Sequence, residues 1–296
     1  MAATAGTRHP EVSFDPAPHE VARAVSLALA EDLGPEGDLT GQLLDPSLRA
    51  TAAIVAREHG VLAGEACAVA AFESVDPDLA VRFGRHDGDE LEPGTVVATV
   101  EGSMRSIVAA ERTALNFLCH LSGIATATRS LVDAVRGVRD DVAVLDTRKT
   151  TPGLRALEKA AVRAGGGTNH RSSLSESVLL KDNHLGVLGI EAAVTRARDR
   201  WPGVRVQVEC DTSDQVAAAV AAGADAILLD NMSPQHAASC VELARSLRRE
   251  VFIEASGHIS VATAPQMAAT GVDAVSSGAL THSVRALDLG LDLAEG

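Results

Sequence analysis

The sequence predicts an α/β fold in which a mixed N-terminal segment precedes a parallel, helix-covered sheet built as an incomplete barrel. Three observations carry this. Apolar residues make up 46% of the chain while aromatics make up only 2%, so the core is built from Ala, Val, Leu and Ile, whose small side chains suit layered helices and strands. From about residue 142 onward, short β-branched or Leu-rich runs alternate with Ala-rich helical segments. Each of those runs ends in polar residues or glycine.

In the N-terminal part, Glu20 to Leu33 carries Val21, Ala24, Val25, Ala28 and Leu29 at helical spacing and ends near Gly34. Two β-rich stretches follow, near residues 52–62 and 95–100. The second lies in a segment (88–102) where Pro93-Gly94 predicts a hairpin turn between short strands. Carrier domains that hold biotin or lipoate share this texture, but they need a lysine at the tip, and none is present. Helices are then expected over 107–121 and 124–135, with Cys119-His120 packed on the first of them rather than binding metal.

Six strands are expected over 142–147, 177–183, 204–210, 224–231, 251–256 and 272–278. Helices follow near 153–164, 190–200, 213–222, 234–248, 260–270 and 281–290. Such alternation demands right-handed crossovers and parallel strands, and continuous apolar runs such as Ala226 to Leu229 fit strands buried on both faces. An open doubly wound sheet and an incomplete barrel both satisfy the pattern. The strand ends favour the barrel.

Those ends read Asp146-Thr147-Arg148-Lys149, Lys181-Asp182-Asn183-His184, Glu209 with Asp211, Asp230-Asn231, Glu254 with Ser256-Gly257, and Ser276-Ser277-Gly278. In a (β/α) barrel the C-terminal strand ends converge on one face, where such folds carry their sites. Early units supply cations (Arg148, Lys149, Arg171, Lys181), middle ones carboxylates (Glu209, Asp230), and late ones Ser-Gly pairs ahead of helices, a phosphate-binding arrangement. The pattern calls for a ligand with several anionic groups, one of them a phosphate. The Gly-rich segment 164–173 lacks the order of a P-loop and reads as a flexible connection carrying His170 and Arg171 over the mouth. His184 and His282 read as loop residues, and Lys181 with Glu209 allows an ion pair inside the barrel as well as a site role.

The formal net charge of −14 argues against nucleic acid and anionic membrane as partners, so any anion site must be a local cluster of cations. Four widely spaced cysteines suggest reduced thiols. The first 17 residues carry no basic start leading into an apolar stretch, and no apolar run approaches the ~20 residues that cross a bilayer. A cytoplasmic location is expected.

Taken together, Asp146–Arg155, Gly166–Arg171, Leu179–His184, Glu254–Gly257 and Ser277–Ser283 resemble the signature segments of quinolinate phosphoribosyltransferases, as does Glu111–Thr126 upstream. The segments keep that order across roughly residues 110–285. The resemblance implies an N-terminal α/β-sandwich domain (1–122) and a partial α/β barrel carrying the site (123–296), whose C-terminal helix packs back on the first. It implies quinolinate and phosphoribosyl pyrophosphate as substrates, Mg²⁺ near Glu209 and Asp230, and a homodimer, with higher assembly left open, in which Arg112 reaches into the partner's site. Arg148, Arg171 and Lys181 would hold the quinolinate carboxylates beside Thr147 and His170. Lys149 would face the pyrophosphate, and Lys149, Glu209 and Asp230 would carry the catalysis. Ser256, Gly257, His258, Ser277, Gly278 and Ala279 would cradle the 5′-phosphate. His258 departs from the family, which often has glycine or asparagine there. Rival readings are a transferase acting on another ring such as nicotinate, a relative from a molybdate locus, an aldolase using Lys181 as a Schiff base, and a binding module without catalysis.

Overall fold

The computed structural model describes residues 16–294 of the chain, so most of the N-terminal stretch read for a secretory signal lies outside the described residues. Helix α1 (Pro18–Leu33) opens on a proline, whose missing N–H costs a first helical turn nothing, and buries the expected stripe of Val21, Ala24, Val25 and Leu29. Strands β1 (Arg49–Ala56) and β2 (Gly60–Val61), helix α2 (Glu65–Val75), and strands β3 (Ala80–Phe83), β4 (Glu90–Leu91) and β5 (Val96–Ser103) follow. Helix α3 (Met104–Arg136) starts at the N-cap Ser103, whose side chain accepts a hydrogen bond from the Ser106 amide.

Two expectations fail in this region. Pro93-Gly94 does not close a hairpin, because β4 pairs with β2 while β5 pairs with β1 and β3. The turn instead carries the chain between sheets, with the Gly94 amide donating to the Ala56 carbonyl at 2.8 Å. The helices expected at 107–121 and 124–135 are one continuous helix of 33 residues, α3. Gly123 is not a break but a point of close approach: a Cβ there would lie 2.3 Å from the Arg285 carbonyl oxygen. Helix α2 was not anticipated, and it lies in the core, with Cys67, Ala68, Ala71 and Phe72 buried.

The second half follows the expected alternation: β6 (Ala143–Leu145), α4 (Arg155–Ala164), β7 (Val178–Leu180), α5 (Asp182–Leu188), α6 (Ile190–Arg200), β8 (Val206–Cys210), α7 (Ser213–Ala221), β9 (Ala226–Asp230), α8 (Pro234–Leu247), β10 (Phe252–Ser256), α9 (Ala264–Ala268), β11 (Ala274–Ser276) and α10 (Ala279–His282). The six strands pair in parallel in the order β6-β11-β10-β9-β8-β7, and β6 and β7 are the two edge strands of that sheet. An incomplete barrel results, as expected.

The helix expected over 281–290 is limited to α10. The chain then runs to β12 (Leu289–Leu293), which joins the N-terminal sheet in the order β12-β1-β5-β3. The C-terminus does return to the first domain, but as a strand: Leu289 and Leu287 are buried there, and ladder hydrogen bonds to β1 satisfy the backbone. One apolar core gathers Val25, Ile54, Phe72, Val100 and Leu118, and another gathers Val208, Ile227, Ile253, Val275 and Ala244. Helix α3 contributes to both, with Leu118 in the first and Leu131 in the second, so it ties the halves together.

Candidate active site

A cavity of about 550 Å³ lies at the C-terminal ends of the barrel strands. Its walls include Thr147, Arg148, Lys149, His170, Arg171, Lys181, Glu209, Asp230, Ser256, Gly257 and His258, all of them expected from the sequence. A larger cavity of about 820 Å³ shares Arg148, Arg171 and Lys181 but continues outward past β7 over Leu174, Leu188 and Trp201. Of the two, only the smaller is lined by Glu209, Asp230 and the Ser256-Gly257 turn, which makes it the candidate site.

The cation wall is assembled from separate elements. Thr147 and Lys149 follow β6, and the Thr147 hydroxyl accepts from the Lys149 amide at 3.0 Å, which fixes the turn. Arg171 donates through one nitrogen to the Ser177 carbonyl at 2.7 Å. Burial pushes its guanidinium down from the ordinary value, and the neighbouring Arg148 charge adds to this. Arg148 Nε is buried without a hydrogen-bond partner among the described residues. Two guanidiniums held side by side, one with an unsatisfied donor, are costly alone and favourable around an anion.

Lys181 forms a short ion pair with Glu209, the pairing that the sequence left open. It sits at the cavity wall rather than inside the barrel, with the lysine side chain 46% exposed and the glutamate 12%. Burial raises the Glu209 carboxyl, the Lys181 contact opposes it, and the charge of Asp230 raises it further. The Asp230 carboxylate accepts from the Asn231 amide at 2.7 Å. Hard oxygen donors from Glu209 and Asp230 suit Mg²⁺, an ion that keeps substrate oxygens and water among its ligands. Among the described residues no group of three or more His, Cys, Asp or Glu side chains is arranged to hold a metal on protein ligands alone.

The turn expected to take the phosphate is built on left-handed backbone. Gly257 has φ 93° and His258 φ 51°, and a Cβ on Gly257 would meet Asn231 Oδ1 at 2.2 Å. Positive φ explains why glycine or asparagine suits position 258; histidine tolerates this region better than most residues. His258 Nδ1 lies 2.9 Å from Asn231 Oδ1, so the bulkier side chain is accommodated by a partner on the next strand end. Gly278 is not among the lining residues; it lies behind Lys149, where a Cβ would stand 2.7 Å from the lysine Cδ.

Not every expected residue meets the cavity. Ser277 is buried and spends its hydroxyl on the Ile259 carbonyl at 2.9 Å, so it supports the 256–259 turn from behind. Ala279 opens the short α10 and is not among the lining residues. Arg112 stands on α3 away from the cavity, exposed, with a 4.0 Å contact to Glu111.

The 164–173 segment is fixed rather than flexible. Thr168 bridges to Leu145, and its amide donates to the Val144 carbonyl at 2.8 Å. Behind it, Asp146 and Lys159 form a buried ion pair. Asp146 accepts from the His170 amide at 2.8 Å and from the Asn169 side chain at 2.6 Å, and Lys159 donates to the His170 carbonyl at 2.9 Å. The pair clamps the main chain that carries His170 and Arg171.

Sequence reasoning placed Asn231, Glu254 and Ser276 at the strand ends without giving them a role, and missed Gln207. Glu254 and Ser276 line the cavity, and Gln207 lies behind it. Polar side chains inside otherwise apolar strands, as in Val206–Cys210 and Phe252–Ser256, are the signal that finds them. Cys119-His120 is packing: Cys119 donates to the Leu289 carbonyl, and His120 lies 2.9 Å from the buried Glu158.

Comparison with known proteins agrees with this geometry. Residues 38–122 match the model for the quinolinate phosphoribosyl transferase N-terminal domain, and residues 124–292 match that for its C-terminal domain. The nicotinate-nucleotide pyrophosphorylase (carboxylating) of Mycobacterium leprae is 42% identical over 287 residues, covering 96% of this chain and 99% of that protein. A probable enzyme of the same name from Methanothermobacter thermautotrophicus is 42% identical over 266 residues, covering 88% and 95%. The solved nicotinate-nucleotide pyrophosphorylase of Francisella tularensis superposes with a TM-score of 0.89 at 37% identity, covering 95% of this chain and 98% of that one. The chain belongs to the quinolinate phosphoribosyl transferase family.

Proposed function

We propose that this protein transfers the phosphoribosyl group of phosphoribosyl pyrophosphate to quinolinate with decarboxylation, giving nicotinate mononucleotide, carbon dioxide and pyrophosphate in the de novo synthesis of NAD. The observation that carries the reading is the convergence of Arg148, Arg171 and Lys181 on one wall of a cavity that also holds Glu209, Asp230 and the Ser256-Gly257 turn. Three cations fit the two carboxylates of quinolinate. Nicotinate, with one, would leave charge unmatched.

In this reading Arg148 and Arg171 bind the carboxylates, with Lys181 adding charge from its pair with Glu209. The Ser256–His258 turn takes the 5′-phosphate on backbone N–H groups. The Glu209 and Asp230 carboxylates face the ribose and stabilise positive charge developing at C1′ as the bond to pyrophosphate breaks. Lys149 neutralises the leaving pyrophosphate. Glu209 and Asp230 would hold Mg²⁺, which would supply further neutralisation of that leaving group. The pyridine nitrogen forms the new bond to C1′. The cationic ring then accepts the electron pair of the departing carboxylate, and the ring carbon takes up a proton as carbon dioxide leaves. An aldolase reading fits less well, since the Lys181 ammonium is committed to Glu209.

The site is completed by a second copy of the chain, whose Arg112 enters the cavity; the exposed, weakly paired Arg112 guanidinium supports this. The working location is the cytoplasm. Among the described residues no helix is long and apolar enough to cross a membrane, and Cys119, Cys210 and Cys240 are not in disulfides.

The test is release of labelled carbon dioxide from carboxyl-labelled quinolinate, dependent on phosphoribosyl pyrophosphate and Mg²⁺, with nicotinate as the control acceptor. Transfer to nicotinate at equal rates, or no release from quinolinate, refutes the assignment. Mixing inactive Arg112→Ala and Glu209→Ala proteins should restore activity if sites are shared. No restoration after subunit exchange removes the shared-site proposal.

A further inference from the structure

Glu254 and Gln207 lie beneath the cation wall and take no part in the chemistry above. Glu254 is 1% exposed and Gln207 4%. The two are linked, the Gln207 amide nitrogen donating to Glu254 Oε2 at 2.8 Å. That bond turns Gln207 Oε1 toward His170, whose Nε2 lies 3.2 Å from it and 3.2 Å from Glu254 Oε2. The other ring nitrogen, Nδ1, is 2.8 Å from the backbone amide of Arg171.

Only one protonation pattern satisfies all of these contacts. The Arg171 amide carries a hydrogen, so Nδ1 must be bare to accept it. Nε2 faces two acceptors, so it must carry the proton. An imidazolium would set an Nδ1 proton against the Arg171 amide proton. The opposite tautomer would set a bare Nε2 against two oxygens. In a buried cluster either mismatch leaves groups unsatisfied. Burial opposes ionisation of Glu254, but the hydrogen bonds it accepts from His170, Ser276 and Gln207 counter this, and the carboxyl lies below its ordinary value. Glu254 is therefore the anion that fixes the ring.

With both nitrogens engaged, His170 has none to offer a substrate, although it lines the cavity. Its ring grips the Arg171 amide, while the Asp146–Lys159 pair grips its own main chain on either side. We infer that Glu254, through Gln207 and a neutral His170, is a positioning residue that sets the Arg171 guanidinium for the ring carboxylates of the substrate. This rests on the quinolinate reading of the site. It departs from the expectation drawn from the sequence in giving His170 no direct contact with the substrate.

The test is the full-length Glu254→Gln variant, with equilibrium titrations of quinolinate and of phosphoribosyl pyrophosphate run separately, beside ¹⁵N spectra of histidine-labelled protein. The expected results are a quinolinate affinity weakened about tenfold or more and an unchanged phosphoribosyl pyrophosphate affinity. Wild-type spectra should show a neutral His170 protonated on Nε2, a signal assigned by its loss in His170→Gln and altered in the variant. Unchanged quinolinate affinity overturns the inference, as does equal weakening for both substrates, which marks general support of the fold. Should Glu254→Gln not fold, Gln207→Leu removes one of the two acceptors and is expected to move the same affinity and the same signal, and failure to move either overturns the inference. If the wild type does not bind quinolinate, the reading of the site falls, and the wild-type His170 spectrum still decides whether the network exists.

Discussion

Replacing Lys159 with methionine gives the sharpest stability prediction. The Lys159 and Asp146 side chains are 4% and 0% exposed, so the substitution leaves a carboxylate buried without its counter-ion. Breaking a buried pair from one side costs about 3–5 kcal/mol. Asp146 keeps the His170 amide at 2.8 Å and the Asn169 side chain at 2.6 Å, which puts the expected loss at the lower end, about 3 kcal/mol. Burial already pushes the Asp146 carboxyl up, so the variant relieves part of the cost by taking a proton. Against a total stability of about 5–15 kcal/mol, such a loss lowers the urea midpoint visibly. Unfolding followed by circular dichroism measures it. The double variant Asp146→Asn with Lys159→Met should recover more than half of the loss, since no charge is then stranded. A loss below about 1 kcal/mol, the range of a surface pair, would refute the buried clamp.

Three further outcomes follow from the site. Arg171→Ala removes charged hydrogen bonds of about 1.5–3 kcal/mol, so the KM for quinolinate should rise about 10- to 100-fold, whereas Glu209→Ala should chiefly lower kcat; steady-state kinetics in which neither parameter moves would cancel both assignments. Gly257→Ala imposes a side chain at φ 93° and on Asn231, so affinity for phosphoribosyl pyrophosphate should fall while quinolinate affinity holds, and titration of each ligand tests that split. Because burial raises the folded-state pKa of Glu209, its contribution to stability is full below the ordinary carboxyl value of 4.5 and is lost as pH rises through the folded value. In Mg²⁺-free buffer Glu209→Gln should therefore lose less Tm than wild type above that pH, and Lys181→Met, which removes the opposing cation, should shift the loss to higher pH; identical Tm profiles would contradict this.

Legibility from sequence followed periodicity and position. The barrel strands were readable because both-face burial leaves uninterrupted apolar runs such as Ala226–Leu229, and their shared direction brings the strand ends to one mouth. Helix α2 escaped notice because Ala66, Ala68, Ala70 and Ala71 blur its apolar stripe. The Ser122-Gly123 pair looked like a helix boundary because the crossing segment at Arg285 lies more than a hundred and fifty residues away in sequence. The helix expected over 281–290 ends early, and β12 beyond it was missed, for a like reason: its partners lie in β1. Within the site, Gln207 is not legible at all, and Glu254 is legible as a polar strand residue but not in its role. Gln207 and Glu254 sit inside strands, where only the contact with His170 gives them a role. Ser277 shows the converse, a strand-end residue turned toward Ile259.

A crystal structure with quinolinate bound tests the central claim most directly. The ring should lie in the 550 Å³ cavity with its two carboxylates against Arg148, Arg171 and Lys181 and its nitrogen facing Glu209 and Asp230 across the space for the ribose. Quinolinate seated instead in the apolar cavity over Leu188 and Trp201, or with its carboxylates turned away from those three cations, would contradict the account.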